Sequence, residues 1–116
     1  MWLFLEGGRF LSIVADTKDP SLLQVFAHLP GDIETNFPNA LIDEVSIDGY
    51  RYRSTVPRQE AIAAVIDELA NLNYTDLLKS ICNPNRVSAA NRIQSAMSDS
   101  QQTALKGEDV GSVCVQ

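Results

Sequence analysis

The chain has 116 residues, 45% of them hydrophobic and 21% charged, with five prolines and six glycines. That is the make-up of one globular domain able to bury a core without metal or disulfide staples, and it excludes a disordered or fibrous chain. No apolar run approaches the roughly 20 residues of a spanning helix, and the opening MWLFLEGG has neither the basic start nor the cleavage region of a signal peptide, so a cytoplasmic protein with no membrane association is expected.

The net charge of −6 is unevenly placed. Met1 to Asp48 carries eight acids (Glu6, Asp16, Asp19, Asp32, Glu34, Asp43, Glu44, Asp48) against Arg9 and Lys18, which accounts for all of it, and from Gly49 onward seven acids balance seven bases. An acidic half repels nucleic acid at long range and steers toward a basic partner surface.

In chain order, MWLFLE reads as a short strand, Gly7-Gly8 as a tight turn, and RFLSIVAD as the second strand of a hairpin. Phe10, Ser12 and Val14 fall on one face and Leu11, Ile13 and Ala15 on the other. Asp19-Pro20 breaks the pattern. LLQVFAHL is a third strand, ending at Pro30-Gly31, after which Asp32 caps a short helical turn, IETNF, that stops before Pro38. ALIDEVSI reads as loop with a short strand around Val45. YRYRSTV begins after the turn dipeptide Asp48-Gly49 and alternates as a strand does.

Pro57 opens a helix, PRQEAIAAVIDELANL, with Ala61, Ile62, Val65, Ile66 and Leu69 on the core side. TDLLKSIC reads as a short second helix, capped by Thr75, with Leu77, Leu78 and Ile81 inward and Cys82 a buried thiol. Asn83-Pro84 punctuates, and NRVSAANRIQSAM makes a third helix. Strands first and helices last give an α+β fold: a small antiparallel sheet of three to four strands in the N-terminal half, with about three helices of the C-terminal half packed on one face. Residues 1–98 form this single domain and 99–116 a flexible C-terminal tail.

The chemistry-bearing residues fall into three groups. In YRYR, strict alternation puts Tyr50 and Tyr52 on one face and Arg51 and Arg53 on the other, the look of a half-buried strand rather than of a surface that stacks bases and pairs phosphates. Arg51, Arg53 and Arg58 remain the basic alternative. His28, the lone histidine, stands four residues before Asp32 and could work with Asp32 or Glu34 as an acid-base pair, yet no nucleophile motif is near. The carboxylates Asp32, Glu34, Asp43, Glu44 and Asp48 lack the spacing of a Ca²⁺ loop, no Cys/His zinc spacing or phosphate-cradling glycine loop occurs, and neither metal nor cofactor is expected.

Several stretches taken together (MWLF, LSIVAD, DPSLLQVFAHLPGDIETNFPNA, GYRYRSTVPRQEAIAAVI, LNYTDLLKSI and NRVSAANRIQSAM) resemble a family of small bacterial proteins of uncharacterised activity carried on mobile or phage-derived DNA. The shared features are an opening Met-Trp, a Gly-Asp-Ile-Glu followed by Phe-Pro, a Tyr-Arg-aromatic-Arg strand before a Pro-Arg helix start, and an Asn-Tyr after that helix. The resemblance spans about residues 1 to 98 and implies a bacterial, cytoplasmic setting without enzyme activity; it carries over no catalytic residues. One departure is that Phe26, Ala27 and His28 stand where the resemblance leads one to expect an arginine-rich strand.

Three readings follow. The first is a non-enzymatic interaction protein of phage or mobile-element origin, in its sharpest form an anti-CRISPR-like inhibitor that sets Asp32, Glu34, Asp43, Glu44 and Asp48 against a basic host surface meant for nucleic acid. The second is a nucleic-acid-associated module using Arg51, Arg53 and Arg58. The third is an enzyme with His28 as its acid-base group. The edge strands of a small sheet leave self-association open under each.

Overall fold

The computed structural model describes residues 1–106. Five strands, β1 (Trp2–Leu5), β2 (Arg9–Ala15), β3 (Leu22–Ala27), β4 (Asp43–Ile47) and β5 (Tyr50–Pro57), form one sheet in the order β1-β2-β3-β5-β4, and every neighbouring pair is antiparallel. Three α-helices accompany it: α1 (Asp32–Asn36), α2 (Arg58–Ala70) and α3 (Pro84–Leu105). The class is α+β, with five strands where three to four were expected. The short strand expected around Val45 is β4, and it extends over all of Asp43–Ile47.

The glycine pair does what its position demands. Gly7 and Gly8 take φ of 77° and 84° in a three-residue turn joining β1 to β2, and the hairpin closes on Leu5 opposite Arg9. The two positions differ in their surroundings. A Cβ on Gly7 would meet open space, whereas one on Gly8 would sit 3.0 Å from Arg86 Cβ and 3.2 Å from Ile81 Cγ2. Gly8→Ala is therefore expected to cost roughly 1–3 kcal/mol and Gly7→Ala distinctly less, a difference that urea unfolding of the two variants measures.

Register sorts the side chains into two faces, because directly paired residues share one. Val25 pairs with Ile13 and Ser54, and Ala27 pairs with Tyr52. With Leu5, Leu11, Val56, Ile33 and Phe37 of α1, and Ala61 of α2, Val25, Ala27 and Ile13 make the buried core. The opposite face takes Trp2, Phe4, Phe10, Ser12 and Phe26, since Trp2 pairs with Ser12, Phe4 with Phe10 and Ser12 with Phe26.

The helices depart from expectation at four places. α2 rests on the sheet through Ala61, with Ala64 packed beside it and Val65 half-buried, and leaves Ile62, Ile66 and Leu69 exposed. TDLLKSIC forms only a 3₁₀ turn, Leu78–Ser80, and Thr75 does not cap it; the Asp76 carboxylate accepts the Leu78 N–H instead. Ile81 is buried as expected but Cys82 is exposed, because the chain leaves the turn extended at Ile81. α3, capped by Asn83 Oδ1 accepting from the N–H groups of Asn85 and Arg86, runs to Leu105, so residues 99–105 continue a helix where a tail was expected. Lys106 ends the helix, and the rest of that expected tail, 107–116, lies outside the described residues.

Arg9, whose charge sequence patterning leaves unassigned, ties the hairpin to both helices of the core face: it donates to Asn36 Oδ1 and, at 2.7 Å, to Glu68 Oε1. Burial by itself would raise the Glu68 carboxyl, but the hydrogen bonds from Arg9 and Asn36 and the Arg9 charge outweigh it and hold the group below its ordinary 4.5. A lowered folded value means that the contribution is complete above about pH 4.5 and is lost as pH falls through the folded value. Glu68→Gln should thus flatten the acid limb of the stability profile, read as denaturation midpoint against pH from 6 down to 3.

Candidate functional site

Two surfaces carry the chemistry that the sequence singles out. The first is the edge formed by β4 and the β4–β5 turn. Strand order leaves β4 with a neighbour on one side only, and Asp43, Glu44 and Asp48 on it are all exposed. Asp48 adopts φ of 52°, beside Gly49 at 85°, the left-handed conformation that Asp and Asn tolerate better than other side chains. Asp43 meets Arg53 across the strands at 3.5 Å, with side chains 64% and 35% exposed, a pairing worth little in water.

The other expected members of the acidic set lie elsewhere. Glu34 is exposed on α1, not on β4 or its turn. Asp32 is 3% exposed and does not cap α1, whose cap position is Gly31 at φ 90°. Its Oδ1 accepts from Arg86 Nη2 at 2.8 Å, and its Oδ2 from Arg86 Nη1 at 3.0 Å and from the Phe10 N–H at 3.3 Å. Arg86 Nη1 also donates to the Gly8 carbonyl. Asp32 is thus a structural anchor between α1, the hairpin turn and α3, and it leaves the acidic set. Asp16 and Asp19 are turn formers: their carboxyls are held below the ordinary range, Asp16 by the N–H groups of Asp19 and Lys18 and the amide of Gln24, Asp19 by the hydroxyl and N–H of Ser21.

The second surface is the sheet face opposite the core. Phe10, Phe26, His28 and Tyr50 cluster on it: the His28 and Tyr50 rings stack at 4.4 Å, and Phe26 lies 5.4 Å from Tyr50. His28 Nδ1 lies 3.1 Å from the Gly49 carbonyl; a carbonyl only accepts, so Nδ1 carries the proton of that bond. α3 flanks this face, and between them lies a cavity of about 530 Å³ whose walls include Trp2, Phe10, His28, Tyr50, Arg86 and Ile93.

This arrangement corrects the strict alternation expected for YRYR. Tyr52 packs on the core, but the Tyr50 ring stacks with the aromatics of the other face, where the β4–β5 ladder slips its register between Glu44 and Ile47. Arg53 pairs with Phe26 and shares their face. Rings and arginine therefore stand together, though the basic set as a whole does not: Arg51 is near the start of β5, whereas Arg58 opens α2 and its Nε donates to the Pro20 carbonyl at 2.8 Å.

His28 and Asp32 line the same cavity but share no hydrogen bond, and Asp32 has both oxygens engaged by Arg86. No group of three or more His, Cys, Asp or Glu among the described residues is arranged to hold a metal ion, and no described helix is long and apolar enough to cross a membrane. The cavity itself escaped the sequence reading, although the rings at Trp2, Phe4 and Phe10, set on one side of a hairpin that the glycine pair already defines, were a readable signal. No family model, curated protein or solved structure matches the chain.

Proposed function

We propose that the chain is a non-enzymatic binding protein that docks a basic surface of a partner protein along its acidic edge. What carries the reading is the convergence of Asp43, Glu44 and Asp48 on an edge strand and its turn, where carboxylates and unpaired backbone groups stand side by side. An edge strand can accept an extended segment of a partner by main-chain pairing, while side chains set specificity. Carboxylates at such an edge speed encounter with a cationic partner and reject anionic ones. Asp43 can exchange Arg53 for a partner's cation, since Asp43 is largely exposed and the pair is long at 3.5 Å. In its sharpest form the partner is a nucleic-acid-processing complex of a bacterial host, whose phosphate-binding surface the carboxylates occupy, and the chain is an inhibitor of phage or mobile-element origin.

The test is retention of the partner by tagged protein at low and moderate salt, beside the triple variant Asp43→Lys, Glu44→Lys, Asp48→Asn. Asn keeps the left-handed turn position viable. Retention should fall at least tenfold in the variant and with rising salt, while the melting temperature is preserved; retention that survives both removes the reading.

The shared face of Arg53, Phe26 and Tyr50 favours a second reading, a single-stranded nucleic acid laid across the sheet with bases stacked on the rings. Its support is thinner, because Arg53 is offset by Asp43 and Arg58 is turned to Pro20. A gel shift with a single-stranded oligonucleotide at low salt decides it: a complex that weakens steeply as salt rises supports it, and no complex ends it.

A further inference from the structure

The cavity beneath α3 is separate in chemistry from the acidic edge, and its walls say what it would hold. The planes of Phe10, His28 and Tyr50 lie within 25° of one another, with centroids 4.4 to 6.4 Å apart. A flat guest laid parallel to one ring is therefore nearly parallel to all three. Trp2 stands edge-on to Phe10 at 5.8 Å and 75°, and Ala89, Ala90 and Ile93 of α3 form the facing wall. A volume of about 530 Å³ falls in the range of small-molecule sites.

Charge narrows the guest further. Among the described residues, the carboxylate and the guanidinium in the wall, Asp32 and Arg86, neutralise each other through two hydrogen bonds of 2.8 and 3.0 Å, so neither is free for a charged guest. Two polar residues share the lining: among the described residues, the side-chain amide of Asn85 has no hydrogen-bond partner within the protein, and Asn83 uses its Oδ1 to cap α3 and leaves its Nδ2 as a donor. Few polar groups beside an apolar, ring-lined space is the pattern of an orienting site for a small, mostly apolar ligand.

We propose that this cavity is a binding site for an uncharged, planar aromatic small molecule, held by stacking on the ring cluster of His28, Tyr50 and Phe10 and oriented by Asn83 and Asn85. Aromatic faces prefer offset stacking, which adds to plain burial. A flat aromatic guest thus gains over a saturated one of the same size.

Trp2 is the chain's one tryptophan and lines the cavity, so its indole N–H gives a single resonance that reports occupancy. The experiment titrates ¹⁵N-labelled full-length protein with 1-naphthol and, separately, with the saturated 1-decalol. The expected result is a saturable shift of the Trp2 indole and of the Gly49 and Tyr50 amides, with naphthol bound about threefold to tenfold more tightly than decalol. His28→Ala should weaken naphthol several-fold, and His28→Phe, which restores a ring, should recover most of it. His28 is exposed, so both variants should melt near the wild type. Four results overturn the proposal: no saturable shift at Trp2, equal binding of the two alcohols, naphthol binding unchanged in His28→Ala, or a Trp2 resonance that moves with protein concentration alone, which assigns the cavity to a second copy of the chain.

Discussion

Arg86→Ala should lower folding stability by about 3–5 kcal/mol, the cost of leaving a buried charge without its partner. The size follows from asymmetry. Asp32 is 3% exposed and receives two of its three hydrogen bonds from the Arg86 guanidinium, so the truncation leaves a nearly buried carboxylate without its counter-charge and with one hydrogen bond. Arg86 also satisfies the Gly8 carbonyl, and no residue of α3 is buried. The anchor that holds this helix beside the sheet is therefore concentrated at its first turn. Guanidinium unfolding measures the loss; Arg86→Lys should recover only part of it, because an ammonium cannot present the planar two-pronged donor. A loss below 1 kcal/mol for the alanine variant would mean that the pair is open to solvent.

Ile33→Ala should cost about 2–5 kcal/mol, in the range for emptying a well-packed aliphatic site. Ile33 is fully buried in a helix of five residues, and with Phe37 it holds α1 against the core face. So short a helix has little stability of its own, and this side chain is what positions it. The comparison is Ile66→Ala on α2, 57% exposed, where urea unfolding should show a change well under half as large. Sequence periodicity puts Ile66 on the core side of its helix and assigns no face to Ile33.

The outward turn of Ile66 shows where legibility stopped. Local signals with a backbone cause were readable: the glycine pair of the hairpin, the Asp48-Gly49 turn before β5, Pro57 at the junction of β5 and α2, and Asn83-Pro84 at the start of α3. Each rests on φ or on a missing donor, which the residue itself dictates. Facts set by tertiary packing were not readable in the same way. The apolar residues of α2 fix a helix but not which side meets the sheet, and the alanine side won. Asp32 sits where a capping residue is common, and only the fold brings Arg86, 54 positions away, to its carboxylate. For the candidate sites, the grouping of Asp43, Glu44 and Asp48 was legible because they are neighbours in sequence. The cavity required β1, β2, β3, β5 and α3 to be placed together, and strict alternation misassigned Tyr50 because the ladder slips beside it.

The most direct test of the acidic edge as the docking surface is zero-length carbodiimide cross-linking of the protein to its retained partner, followed by mass spectrometry of the joined peptides. The chemistry couples only a carboxylate and an amine in contact, so it reports which acids face the partner. Cross-links from Asp43, Glu44 or Asp48 to partner lysines, absent in the triple variant and reduced at higher salt, are the predicted result. Cross-links confined to acids away from this edge, such as Glu34 or Glu60, with the triple variant still bound, would contradict the account.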